Sequence, residues 1–162
     1  MRNVIEKIGQ VDLDIIRSEL SRLPEYDTQI MLQTNLNGAK DHTFGIDAVK
    51  TLNGLTEDSF KYPIFDFPYI NGIIEQYGLF RSRVMCMHEK TCYSYHHDFT
   101  PRLHIPVQTN ENCFFIIDDL LYRLPADGTV YLVNTTLAHT FVNASWHDRI
   151  HIVGCQTDTD EE

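Results

Sequence analysis

The stretch Ser94-Tyr95-His96-His97-Asp98-Phe99-Thr100-Pro101-Arg102-Leu103-His104-Ile105-Pro106-Val107 decides how this chain is read. It has the look of a strand, a turn at Phe99-Thr100-Pro101, and a second strand. Successive strand residues point to opposite faces. Arg102 and His104 therefore share one face, and Leu103, Ile105 and Val107 share the other. The same alternation returns at Asp148-Arg149-Ile150-His151-Ile152-Val153. Aliphatic faces call for a hydrophobic layer, here expected to be helices. An arginine with a histidine on the opposite face calls for a pocket that takes an anion.

Working outward, the chain has 162 residues, enough for one domain around one core. Its formal net charge is −10, with the acids spread along the chain and gathered in the tail Asp158–Glu162. That balance argues against nucleic acid or an anionic membrane as a partner. No apolar run approaches the roughly 18 residues of a membrane span, and none resembles a signal core. A cytoplasmic location is expected. Cys86, Cys92, Cys113 and Cys155 include no CxxC pair, so they are expected to be plain thiols.

Residues 12–23 read as a helix, with Asp12 as cap, Leu13, Ile16, Leu20 and Leu23 as its stripe, and Pro24 as its stop. Thr28–Gln33 reads as a short strand, and 34–60 as a long polar loop that contains His42. Phe67–Leu79 reads as a second helix, with Ile70, Ile73, Ile74 and Tyr77 on one face and Gly78 at its end. From Phe80 onward, short β-rich runs alternate with turns: Arg83–Met87, Cys92–His97, Arg102–Val107, Cys113–Ile117, Leu120–Leu124, Thr129–Val133, Ala138–Val142 and Arg149–Val153. Eight short strands at this spacing predict a sandwich or barrel. The expected fold is mainly β, a sandwich or barrel with the N-terminal helices packed on one sheet. We expect one domain over 1–162, helical and loop-like over 1–79 and a β-rich core over 80–155.

On a strand, His96 and Asp98 point the same way and offer one nitrogen and one oxygen to a single ion. His139, in Leu137-Ala138-His139-Thr140-Phe141, is the best third ligand. Two histidines and one carboxylate with open positions form the facial triad of non-haem Fe(II) oxygenases. His97 competes with His96 but points to the other face. A keto acid bound at such an iron has a far carboxylate that needs a fixed cation. Arginine suits the role because its planar fork takes a carboxylate bidentately. Arg149 follows His139 by ten residues, which leaves room for a turn and a neighbouring strand. Arg102 and His104 line the pocket from the strand after the His-x-Asp pair, although Arg102 could instead pair with Asp98 or Asp118.

The set His96-His97-Asp98, Arg102-Leu103-His104, His139-Thr140-Phe141-Val142-Asn143 and Arg149-Ile150-His151 resembles the aspartyl/asparaginyl β-hydroxylase family of Fe(II)/2-oxoglutarate oxygenases. The resemblance covers residues 80–155. It implies a double-stranded β-helix (jelly roll, cupin-like) core over 80–155, with His96, Asp98 and His139 on iron. It implies Arg102, His104 and Arg149 on 2-oxoglutarate, and no catalytic side chain beyond the metal site. The implied reaction is hydroxylation of an unactivated carbon of an amino acid or a peptide side chain. A small molecule or peptide is then the only partner expected, and oligomeric state is not legible. The alternative reading is a cupin-like protein that binds metal and a small dicarboxylate without turnover.

Overall fold

The computed structural model describes residues 3–46 and 54–157. The chain opens with a strand, β1 (Ile5–Gln10), followed by helix α1 (Leu13–Leu20). Asp12 caps α1, accepting from the backbone of Asp14 and Ile15, a bond typically worth about 1 kcal/mol. The short strands β2 (Gln29–Met31), β3 (Gln33–Thr34) and β4 (Tyr62–Pro63) follow, with a 3₁₀ turn at Glu57–Ser59. Helix α2 (Pro68–Gln76) starts with proline in its first turn, where no amide hydrogen is missed. Gly78, at φ +59°, ends it. Then come β5 (Phe80–Met87), β6 (Thr91–Cys92), β7 (Arg102–Gln108), β8 (Cys113–Ile117), β9 (Leu120–Tyr122), β10 (Thr129–Val133), β11 (His139–Asn143) and β12 (Arg149–Cys155).

Two antiparallel sheets face each other as a jelly roll. The larger runs β1-β10-β7-β12-β5-β2, and the smaller runs β6-β11-β8-β9. The helices lie on the outer face of the larger sheet. There Ile16, Ile70, Ile73 and Ile74 pack against Leu103, Ile105, Val107, Val84 and Ile152. The aliphatic parity of β7 and β12 is thus used as expected. Glu19 of α1 accepts from the amides of Tyr69 and Ile70 at the start of α2. A carboxylate at the positive end of a helix ties the two helices together. Between the sheets, Phe115, Ile117 and Phe141 meet Met87, Tyr131 and Val133.

Several expected elements are corrected. The part before Phe80 is not only helix and loop, because β1 and β2 form the two edges of the larger sheet. β1 is an edge strand whose residues are exposed or only partly buried, so Ile5–Gln10 carries no clean alternation in the sequence. The run Cys92–His97 pairs only at Thr91–Cys92, and after that a single bridge joins His96 to His139. Thr28–Gln33 divides into β2 and β3, which belong to different sheets. The 34–60 loop contains the Glu57 turn, and its residues 47–53 lie outside the described residues. Among the described residues, no helix is long and apolar enough to cross a membrane.

Candidate metal and anion site

The site lies between the sheets, and each half is set by backbone pairing. On the smaller sheet, β11 pairs with β8, which places His139 opposite Ile117. His96 is held against it by reciprocal bonds: His96 N donates to the His139 carbonyl at 3.1 Å, and His139 N donates to the His96 carbonyl at 2.9 Å. Asp98 is fixed by its own amide, which donates to the Thr135 carbonyl at 2.8 Å. The expected strand over His96–Asp98 is therefore replaced by irregular backbone, yet the two side chains still converge. The ligand atoms of His96, Asp98 and His139 all lie within 4.8 Å of one another. His97 is exposed and lies outside this cluster.

The protonation of the two histidines follows from their partners. His96 Nδ1 is 2.8 Å from the Ser94 carbonyl, and His139 Nδ1 is 2.8 Å from the Leu137 carbonyl. A carbonyl oxygen only accepts, so each Nδ1 carries a proton, and in the neutral form of each ring it is Nε2 that is bare. Those Nε2 atoms face the two oxygens of Asp98, at 3.9 Å and 3.8 Å. His139 Nε2 is buried without a partner, and burial lowers the pKa of this ring. Nδ1 donating to a backbone carbonyl is the usual way a ligating histidine is oriented. His96 and Asp98 leave one side open to solvent, beside the exposed Phe99 and Tyr95.

The larger sheet supplies the opposite wall. Asn143 ends β11, and its buried amide donates to the carbonyls of Met87, His88 and His147. That knot fixes the return turn, so β12 begins at Arg149 and Arg149 faces inward. Its guanidinium sits 5.2 Å from the centre of the Phe141 ring. Its Nε is buried and has no partner. Burial brings its pKa down to about 10, so it remains a cation at neutral pH. No described carboxylate pairs with it.

His104 lies nearby on β7, with Nδ1 3.1 Å from Nδ1 of His151 on β12. Burial, and then the neighbouring Arg149, push both rings well below their ordinary pKa, so both are neutral. One Nδ1 must donate to the other. The acceptor ring then carries its proton on Nε2, and both Nε2 atoms are buried without partners. The pocket thus contains an unspent N–H donor beside an unpaired arginine. His151 was outside the sequence-derived set, although its Arg-x-His spacing repeats that of Arg102 and His104.

Arg102 is placed differently from Arg149. It is buried, and its Nη2 is 2.7 Å from Glu57 Oε2. Its Nη1 reaches Thr100 Oγ1 and Cys155 Sγ, and its Nε is 3.4 Å from Asp98 Oδ2. Burial alone would raise the Glu57 carboxyl, but Arg102, Cys155 and Arg81 outweigh it and hold it below the usual range. Sequence reasoning missed Glu57 because nothing in a polar loop marks which acid turns inward. It also missed Arg83, whose alternation with Val84 in β5 was a legible signal. Elsewhere, His88 sits between Asp27 at 2.8 Å and Asp148 at 3.1 Å. Trp146 is an exposed turn residue under the Lys90 ammonium.

Comparison with known proteins gives the family and the fold. The model of the family described as aspartyl/asparaginyl beta-hydroxylase matches residues 11–155. The match reaches well before residue 80, where the resemblance read from motifs began. Among solved structures, the chain is similar to an oxidoreductase of the 2OG-Fe(II) oxygenase family from Burkholderia pseudomallei. The TM-score is 0.52 and the identity 17%, over 88% of this chain and 76% of that one. No curated protein matches the chain.

Proposed function

The chain belongs to the aspartyl/asparaginyl β-hydroxylase family, and from that premise we propose that it is an Fe(II)- and 2-oxoglutarate-dependent oxygenase. On this reading it hydroxylates an unactivated carbon of an amino acid or a peptide side chain. The observation that carries the reading is the pairing of two unmet needs across one pocket. On one wall are bare Nε2 atoms converging on Asp98. On the other is a buried arginine without a counter-ion among the described residues.

His96, Asp98 and His139 suit a divalent iron. Two neutral imidazoles and one carboxylate are its usual donors when co-substrate positions stay open, and the Nδ1 anchors already aim the rings. Bound there, Fe(II) would supply the redox chemistry by which dioxygen oxidatively decarboxylates 2-oxoglutarate to succinate and carbon dioxide, with one oxygen atom going to succinate and the other into a C–H bond of the substrate. The protein's own residues do the rest. Arg149 takes the far carboxylate of 2-oxoglutarate in its planar fork. The Nε2–H of the His104–His151 pair donates to the same ligand and fixes its orientation. Phe141 and Phe115, stacked edge to face at 4.0 Å, keep this end of the pocket apolar. Arg102 lines the metal end, where its Nε also holds Asp98 in place while Glu57 neutralises its charge.

The test is succinate formation. Purified protein with Fe(II), ascorbate and 2-oxoglutarate should release succinate, and Asp98→Ala should not. Metal and 2-oxoglutarate binding without succinate, across a broad panel of amino acids and peptides, would replace this reading with that of a binding protein without turnover.

A further inference from the structure

We infer that Arg83 is the recognition residue for a carboxylate on the substrate, and hence that the substrate is a small carboxylic acid. The inference rests on the oxygenase reading above and adds the chemical class of its substrate.

Arg83 lies on β5, on the inner face of the larger sheet. Its neighbour Val84 belongs to the core under the helices, so the next residue in sequence points the other way. The pairing register runs from His104 on β7 to Val153 on β12 to Arg83 on β5. Arg83 is thus in the same row as the pocket histidine, two strands away, with Val153 between them. It is 7% exposed. Its Nη1 donates to the Arg81 carbonyl at 3.3 Å, and its buried Nε has no partner. No described carboxylate pairs with it. Arg81 and Arg102 show what is missing, since both are ion-paired to Glu57.

A buried guanidinium with no anion is costly. Here burial, and then the nearby Arg81, bring its pKa down to about 10. Arg102, two residues before His104 on the same face of β7, reaches Asp98 with its Nε at 3.4 Å, so the row that holds Arg83 borders the metal end of the pocket. The 2-oxoglutarate molecule cannot be its partner. Arg149 pairs with Met87 on β5, four residues beyond Arg83, and four strand residues span roughly 13 Å. A five-carbon acid that chelates the metal and reaches Arg149 has no carboxylate left for Arg83. The remaining anion in such a ternary complex is the substrate. Recognition by a planar fork favours a carboxylate.

The test uses full-length protein loaded with Mn(II) and saturating 2-oxoglutarate without oxygen, so that binding is read without turnover. Calorimetric titrations with each of the twenty L-amino acids and their C-terminal amides should find at least one free acid that binds. Its amide should bind at least about 30-fold more weakly, as expected when one partner of a buried charge pair is removed. In Arg83→Met the acid should lose affinity by a similar factor, and Arg83→Lys should recover part. The affinity for 2-oxoglutarate should stay within about three-fold. Ligand-free Arg83→Met should melt no lower than the parent, since it removes an uncompensated buried charge. Equal binding of acids and amides, no binding of any acid, unchanged affinity in Arg83→Met, or a lower melting temperature would each overturn the assignment. If the parent itself fails to bind 2-oxoglutarate, the oxygenase reading falls instead.

Discussion

Arg149 offers the sharpest test of the pocket. The perturbation is Arg149→Ala. In the ligand-free protein this guanidinium is 3% exposed and unpaired at Nε, and burial brings its pKa down from its ordinary value to about 10. At 1.36 kcal/mol per pKa unit, that drop corresponds to a cost on the order of 3 kcal/mol for keeping the charge buried. A carboxylate in the fork offsets the cost and adds two charge-assisted hydrogen bonds. Truncating one partner of such a buried pair typically costs about 2–5 kcal/mol. At roughly 1.4 kcal/mol per factor of ten, 2-oxoglutarate should bind about 30-fold to several-thousand-fold more weakly. The assay is an anaerobic titration of Fe(II)-loaded protein with 2-oxoglutarate, followed by the absorption band of the iron–keto-acid complex. Arg149→Ala should keep its iron and need far more co-substrate. Arg149→Lys should recover only part, since lysine lacks the fork. The reasoning is refuted if Arg149→Ala binds 2-oxoglutarate like the parent.

Three further outcomes are expected. His96→Ala, Asp98→Ala and His139→Ala should each bind far less Fe(II) by metal analysis after dialysis, whereas His97→Ala should bind a full equivalent; iron retained in His139→Ala would dismiss the triad. Glu57→Gln should destabilise the fold by about 3 kcal/mol in urea denaturation, because it leaves Arg81 and Arg102 buried without their shared anion; a loss under 1 kcal/mol would contradict the network. The metal-free protein should lose stability as pH falls from about 7 to 5. His104 and His151 have folded pKa values below their unfolded ones, so the unfolded chain binds protons first. Each ring contributes a slope of up to about 1.4 kcal/mol per pH unit once the pH is below its unfolded pKa, and a flat profile over that range would show the rings to be exposed.

The alternation in Arg102–Val107 and Arg149–Val153 was enough to separate an aliphatic face from a polar one, because strand geometry allows only two directions. The helices over α1 and α2, most of the strands after Phe80, and the candidate set His96, Asp98, His139, Arg102, His104 and Arg149 were legible for that reason. They depend on local periodicity and on side chains whose chemistry has few other uses. The edge strand β1 was not legible, since its partner β10 lies more than a hundred residues away and its own residues are only half-buried. Nor could sequence decide which charges are compensated. Glu57 comes from a loop to meet Arg81 and Arg102 across 24 and 45 residues, while Arg83 and Arg149 find no such acid among the described residues. Only tertiary packing sets those pairings, because charge compensation depends on distance in space and burial, and neither is encoded in spacing along the chain.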